Sequence, residues 1–274
     1  MKIVILSGKQ HNQAALCHKL AAVAEIAAIV VSDNVPRKPP AHRARLLANR
    51  VAGRLVGRPF VAAWQELQAR YHARYATFPT VEQVPVRNVN DPATLAAIER
   101  LAPDLVVVSG TNIVGKKIIE LAARRRGVVN MHTGISPYVK GGPNCTNWCL
   151  AARSFHLIGS TVMWLDAGID TGAVIATEQT PLDGRESLAD LHWKVMEHAH
   201  DLYVRSLAAI AAGRDVPRVP QSDVGQGVTW YNYQWDALAM ARAYLNYRVA
   251  YRPSAFGEEL QRRSAALKLI SLPE

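Results

Sequence analysis

Residues Leu105–Ser109 read Leu-Val-Val-Val-Ser, an apolar and mostly β-branched run with no polar alternation. A strand of this kind is buried on both faces. Such strands belong to parallel sheets covered by helices on each side. The start of the chain fits the same scheme. Lys2–Leu6 is short and β-branched and ends at Ser7-Gly8. Gln13–Ile26 is rich in Ala and Leu and favours helix. Ala28–Val31, followed by Ser32-Asp33-Asn34, reads as a second strand ending in a turn.

The same rhythm resumes at Val84. Asp91 can cap a helix with Pro92 at its first position. Gly115–Arg125 is helical, Gly127–Met131 is a strand, and His132–Asn147 is too rich in Gly and Pro for regular structure. Thr161–Leu165 and Ala173–Ala176 are further strands, and Ser187–Ala212 is a long helix. The expected fold class is α/β: a Rossmann-like, mostly parallel twisted sheet flanked by helices. Residues 1–213 form the expected catalytic domain, and residues 214–274 a C-terminal extension. Seven of the chain's 19 aromatic residues lie between Trp230 and Tyr251 in that extension. They suit ring stacking on a ligand, a satellite core or a dimer face.

Charge separates one further segment. The chain of 274 residues has a formal net charge of +10. Residues 35–80 hold nine basic residues against the single acid Glu66, so +8 lies there. Arg43–Arg58 can form a helix with Leu47, Val51 and Leu55 on one stripe and arginines on another. Phe60, Trp64, Leu67, Tyr71 and Tyr75 then fall on one helical face that must pack on something. The segment therefore reads as a basic helical insertion after the second strand, with an Arg-rich outer side suited to an anionic partner or a second subunit. Ala21–Val31, the longest apolar run, is broken by Glu25 and is too short to cross a bilayer. The start lacks a signal peptide, and three cysteines do not make a disulfide framework, so a reducing cytoplasm is the expected location.

Two loops carry the candidate chemistry. In Val129-Asn130-Met131-His132, Asn130 and His132 alternate off a strand end and point to one side. Asp166-Ala167-Gly168-Ile169-Asp170-Thr171-Gly172 is a tight turn between two strands. An amide, an imidazole and a carboxylate gathered at strand ends suit acyl transfer, because an N–H and a protonated ring can hold an oxyanion. Cys145 and Cys149, four apart on a helix, have the donor chemistry to bind zinc with His132 or His156, but two thiols without a second pair read as buried apolar cysteines. His192, His198 and His200 on the long helix read as a solvated face.

Asn-x-His, then a Pro and the Lys140-Gly141 pair, then Gly-x-Thr-Val, then Leu165-Asp166-x-Gly168-Ile169-Asp170-Thr171-Gly172, resemble the N10-formyltetrahydrofolate-dependent formyltransferases. The resemblance implies Asn130, His132 and Asp170 as catalytic residues. It implies N10-formyltetrahydrofolate as formyl donor, gripped by Gly110, Ile113, Val114, Asp166, Gly168 and Ile169, with no metal. The acceptor is then expected beside Ser7, Lys9, Gln10, Asn12, Tyr138, Lys140, Gly141, Asn144, Trp230 and Tyr231. The chain departs from the family at Thr133 and at Gly134-Ile135-Ser136-Pro137. Its first loop, Ser7–Asn12, lacks the second glycine that would cradle a phosphate, which disfavours glycinamide ribonucleotide. No regulatory domain precedes Met1, which disfavours the hydrolases of the same fold. Two acceptors stay open. A small-molecule amine fits an extension too short for the β-barrel domain of methionyl-tRNA formyltransferases, whereas charged tRNA fits the basic segment and Met163-Trp164-Leu165-Asp166. A folate-binding protein without turnover is a third reading, and a homodimer through the extension or the insertion is an expected assembly.

Overall fold

The computed structural model describes residues 1–35, 53, 56–142, 144–166 and 172–273. The expected helix at residues 43–58 falls almost wholly outside them. Strands β1 (Lys2–Gly8), β2 (Glu25–Ser32), β3 (Glu82–Val86), β4 (Leu105–Ser109), β5 (Val128–His132), β7 (Gly159–Trp164) and β8 (Val174–Gln179) form one sheet in the order β3-β2-β1-β4-β5-β7-β8. The first five are parallel, and β5, β7 and β8 pair antiparallel. The chain moves outward from β1 to β3, then returns to the other side of β1 at β4. The crevice outside the carboxyl ends of β1 and β4 is therefore the topological switch point, where open α/β sheets bind ligands.

Alternation along the strands fills both faces. Ile3, Ile5, Val107 and Val129 pack on α1 (His11–Leu20), α2 (Arg58–Arg74) and α6 (Leu188–Ala211). Val4, Leu6, Val106 and Val108 pack on α3 (Pro92–Leu101) and α4 (Lys116–Ala123). The apolar face of α2 is buried at Phe60, Leu67 and Tyr71, and it spans two cores. Leu67 and Tyr71 join the sheet core, while Phe60 meets Trp235 edge-on at 5.6 Å.

The C-terminal extension folds back on the body. After Gly213 (φ +73°) come α7 (Gln221–Val224), β9 (Val228–Trp230), α8 (Ala237–Val249) and α9 (Glu258–Ala265). β9 pairs in parallel with β6 (Val139–Gly141), and α8 packs on α5 (Cys145–Ala151). Farther on, the Thr177 amide donates to Ile270 O at 2.8 Å, which covers part of the edge strand β8. Glu186 ties the extension down: it accepts from Lys194 Nζ at 2.7 Å and from Tyr251 OH at 2.8 Å.

Several expectations need correction. The helix expected over Gln13–Ile26 ends at Leu20, and Glu25 and Ile26 open β2 instead, because they pair with Lys2 and Ile3 of β1. The 132–147 stretch is not wholly irregular: β6 and the start of α5 lie within it. Asp91 stands at the N-cap of α3, but its carboxylate accepts from the Arg87 and Asn88 amides. His192 and His200 are not solvated; they are 4% and 0% exposed. Helix α2 lies across α6, placing Tyr71 5.6 Å from the His200 ring, and that cover is invisible in the pattern of α6 alone. Burial pushes His192 down to about 4 and His200 well below the ordinary histidine value. Among the described residues no helix is long and apolar enough to cross a membrane.

Candidate functional site

The crevice is built from β5 outward. Asn130 lies between Val108 of β4 and Met163 of β7, and His132 lies opposite Thr161. Both are half-buried, while Val129 and Met131 between and beside them are buried. After His132 the chain makes a turn anchored by one hydroxyl. Thr161 Oγ1 accepts from the Ser136 amide at 2.9 Å and donates to Gly134 O at 2.7 Å. The loop then returns through β6, and Asn144 caps α5 by accepting from the Asn147 amide at 3.3 Å.

This turn brings Cys145 to the site as a neighbour of His132, where the sequence offered the pair only as zinc ligands. Cys145 Sγ lies 3.3 Å from His132 Nε2 and 3.5 Å from Gly141 O. The thiol is buried, and it braces one edge of the imidazole. Gly134 makes room for this contact: a Cβ there would stand 2.7 Å from His132 Nε2 and 3.0 Å from Cys145 Cβ. Cys149, one turn along α5, is also buried, and burial pushes its thiol up to about 12. It is thus a packing residue at neutral pH. Among the described residues there is no group of three or more His, Cys, Asp or Glu that could hold a metal.

The strand ends on the other side are joined by asparagines. Asn34 Nδ2 donates to Gly110 O at 2.8 Å, and the Asn112 amide donates to Asn34 Oδ1 at 2.9 Å. Asn88 Nδ2 donates to Asn112 Oδ1 at 3.1 Å, and Asn90 Nδ2 donates to Ile113 O at 2.8 Å. This network sets the shape of the Gly110–Val114 loop. Gly110 adopts φ +67° over the Gln13 side chain, Val114 is buried, and Ile113 is 61% exposed at the crevice rim. Gly8 is needed where the β1 and β4 ends touch, since a Cβ would stand 2.5 Å from Gly110 O. Each asparagine follows a strand end within a few residues, a signal legible in the sequence but overlooked.

The remaining candidates divide. Asp166 is exposed at the start of the β7–β8 turn. Gly168, Ile169 and Asp170 lie outside the described residues. The end of the turn is fixed, because Gln221 Nε2 donates to Gly172 O at 2.9 Å. In the first loop only Gln10 is exposed without a described side-chain bond; Lys9 pairs with Asp33. Ser7 is buried and donates to Gly8 O, and Asn12 is buried and accepts from Gln68 Nε2 at 2.9 Å. Both belong to the framework beneath the crevice.

The tail closes over the other candidates. Tyr138 OH accepts from the Lys268 amide at 3.0 Å, and Lys140 Nζ donates to Gln221 Oε1 at 3.3 Å. Gly141, at φ +92°, touches the Trp230 backbone. Trp230 stacks on Trp148 with centroids 4.1 Å apart and planes 6° apart, and Tyr231 remains 43% exposed.

Comparison with known proteins agrees with this architecture. The family model described as formyl transferase matches residues 1–207. A methionyl-tRNA formyltransferase of Syntrophus aciditrophicus (strain SB) is 32% identical over 148 residues, which cover 53% of this chain and 46% of that one. The methionyl-tRNA formyltransferase of Halorhodospira halophila is 31% identical over 219 residues, covering 77% and 65%. The chain thus spans about half to two thirds of the length of these curated relatives. Among solved structures, a sugar N-formyltransferase from Shewanella sp FDAARGOS_354 shares the fold with a TM-score of 0.57 at 14% identity, covering 89% of this chain and 87% of that one. A phosphoribosylglycinamide formyltransferase from Anaplasma phagocytophilum does so with a TM-score of 0.54 at 15% identity, covering 85% and 98%.

Proposed function

Because the chain belongs to the formyl transferase family, we propose that it transfers a formyl group from N10-formyltetrahydrofolate to the primary amine or hydroxylamine of a small acceptor. An amino-sugar nucleotide or an amino-acid-derived metabolite fits this description. The observation that supports the reading is that Asn130 and His132 share one strand end, with Asn130 paired to Val108 of β4, the strand that runs on into the Gly110–Val114 loop.

The donor supplies a formyl carbon already activated for attack. The chain's own residues do the rest. The Gly110–Val114 backbone, with exposed Ile113, and residues Asp166, Gly168 and Ile169 are the donor's wall. Asn130 donates an amide N–H to the formyl oxygen, and protonated His132 donates a second bond as negative charge grows there. Cys145 holds the imidazole in place through the 3.3 Å contact. Asp170 favours the charged ring, takes the proton released by the attacking amine and passes it to the donor's N10 nitrogen as the bond from that nitrogen to the formyl carbon breaks. Lys140, Gly141 and Asn144, backed by Trp230, form the acceptor side. The tail's closure over this loop favours a small acceptor, since β9 and Trp230 narrow the approach.

A second reading has its own support. The curated relatives carry the name methionyl-tRNA formyltransferase, and the basic segment after β2 offers arginines to a phosphate backbone. A single-turnover assay with the formyl donor, a panel of amines and charged initiator tRNA separates the two. Formylation of the tRNA at a useful rate would sink the small-acceptor reading. Tight folate binding with no transfer to any amine would favour a binding protein. With a competent acceptor, His132→Ala should lower kcat by roughly 1,000-fold with unchanged circular dichroism. Activity within about tenfold of wild type would defeat the assignment of His132.

A further inference from the structure

The sequence places most of the net positive charge in residues 35–80, but the folded chain collects a second positive centre elsewhere. Arg125 and Arg126 lead into β5, and Arg214 and Arg218 leave the end of α6. These two pairs, far apart in sequence, converge with Trp164 on a cavity of about 480 Å³. The cavity lies at the amino end of β5, because Trp164 pairs with Val129. His132 is at the other end of the strand, three residues on from Val129, so at about 3.3 Å per residue the two ends are roughly 10 Å apart along it.

The arginines are held in place. Arg218 lies over the Trp164 ring, 3.7 Å from its centroid. Arg126 Nη1 donates to Ile210 O at 2.9 Å, and Arg214 Nη1 donates to Pro273 O at 3.3 Å. Trp164 Nε1 donates to Pro217 O at 3.3 Å and fixes the segment that carries Arg214 and Arg218. The bonds from Arg126 and Arg214 each use one N–H of a guanidinium that has five. Asp215 is the one acid lining the cavity, and none of the four arginines forms an ion pair among the described residues. The four arginines are exposed, and with one carboxylate among them they give this hollow a positive field that favours an anion.

We propose that this cavity binds a small polyphosphorylated anion, at a site separate from the formyl-transfer crevice. Arg forks match phosphoryl oxygens in pairs, and a net excess of three positive charges suits a compact chain of phosphates. The volume is that of a small-molecule site, and the shape is one concavity rather than the long basic stripe that tracks a nucleic-acid backbone. The shared chemistry is a run of phosphoryl groups, carried by a free nucleotide or by inorganic polyphosphate.

The test is a titration of the whole chain with sodium tripolyphosphate and, separately, with ATP at low salt. The indole N–H resonance of Trp164 is followed by NMR and assigned with Trp164→Phe. That resonance reports this cavity directly, since Arg218 lies over the Trp164 ring. A saturable shift with Kd below about 1 mM is expected for tripolyphosphate. Arg125→Ala with Arg218→Ala should weaken it at least about tenfold, with an unchanged circular dichroism spectrum. Should that pair fail to fold, Arg125→Glu alone should do the same through charge reversal. Tighter binding of ATP than of tripolyphosphate would make the site a nucleotide site; equal affinity would make it a site for the phosphate chain alone. The proposal is overturned if no saturable shift occurs, or if the variants leave it unchanged. It is also overturned if a short single-stranded RNA moves the same resonance at about tenfold lower concentration than tripolyphosphate, which would mark a nucleic-acid face.

Discussion

Glu186 offers a stringent check, because one buried carboxylate joins the extension to the body. Its side chain is 1% exposed, and it accepts from the Asp183 and Gly184 amides, from Lys194 Nζ and from Tyr251 OH. Burial by itself would raise its pKa. The hydrogen bonds from Lys194 and Tyr251, with the backbone amides, outweigh burial and hold it at about 2, against an ordinary 4.5. A carboxylate depressed in the folded state stabilises the fold above its unfolded value and loses that contribution as pH falls through the folded value. At about 1.36 kcal/mol per pH unit, the contribution is about 3 kcal/mol at pH 7 and about 2 kcal/mol at pH 3.5. Glu186→Gln keeps the shape and removes the charge. Urea unfolding of wild type and variant at several pH values should therefore show a stability gap that narrows from pH 7 towards pH 3. Tyr251→Phe should couple to it by about 1 kcal/mol in a double-mutant cycle. A gap that stays constant between pH 7 and pH 3.5 would refute the reasoning.

Other consequences are as direct. Gly141→Ala meets both a positive φ and the Trp230 carbonyl, 2.0 Å from the new Cβ, so calorimetry should show a loss of about 2 kcal/mol or more; an unchanged Tm would contradict the β6–β9 register. His192 is buried with its pKa lowered to about 4, so the unfolded chain binds the proton first and stability is lost as pH falls from 6.5 towards 4. His192→Leu should flatten that part of the stability profile by up to about 3 kcal/mol, and an unaltered slope would argue against a neutral, buried ring. Cys145→Val removes the contact to His132 Nε2 at similar volume and should lower kcat/KM about fivefold while moving its pH profile, with Cys145→Ser restoring much of both. Equal pH profiles for Val and wild type would leave Cys145 a packing residue only.

Much of this protein was legible from local pattern. Leu105–Ser109 reads as a doubly buried strand because every residue in it is apolar or small, and it lies near the middle of the sheet. The face Phe60, Leu67, Tyr71 reads as buried because the apolar residues recur at helical spacing. Asn130 and His132 share a side because strands alternate, whatever lies around them. Such features depend on neighbours in the chain, so the sequence alone determined them, along with the α/β class and the family.

Tertiary structure decided what comes from the far side of the fold. Cys145 meets His132 only because the Gly134–Ser136 turn, held by Thr161, brings α5 back over the strand end. His200 is buried because α2, which the sequence separates from α6 by more than 100 residues, lays Tyr71 against it. The tail aromatics become a wall because β9 takes a place beside β6. Arg125, Arg126, Arg214 and Arg218 share a cavity because sheet order puts the start of β5 next to the end of α6. Periodicity tells a segment which of its faces must be covered; it carries no address for the segment that covers it, and that address is set by long-range strand order and loop closure.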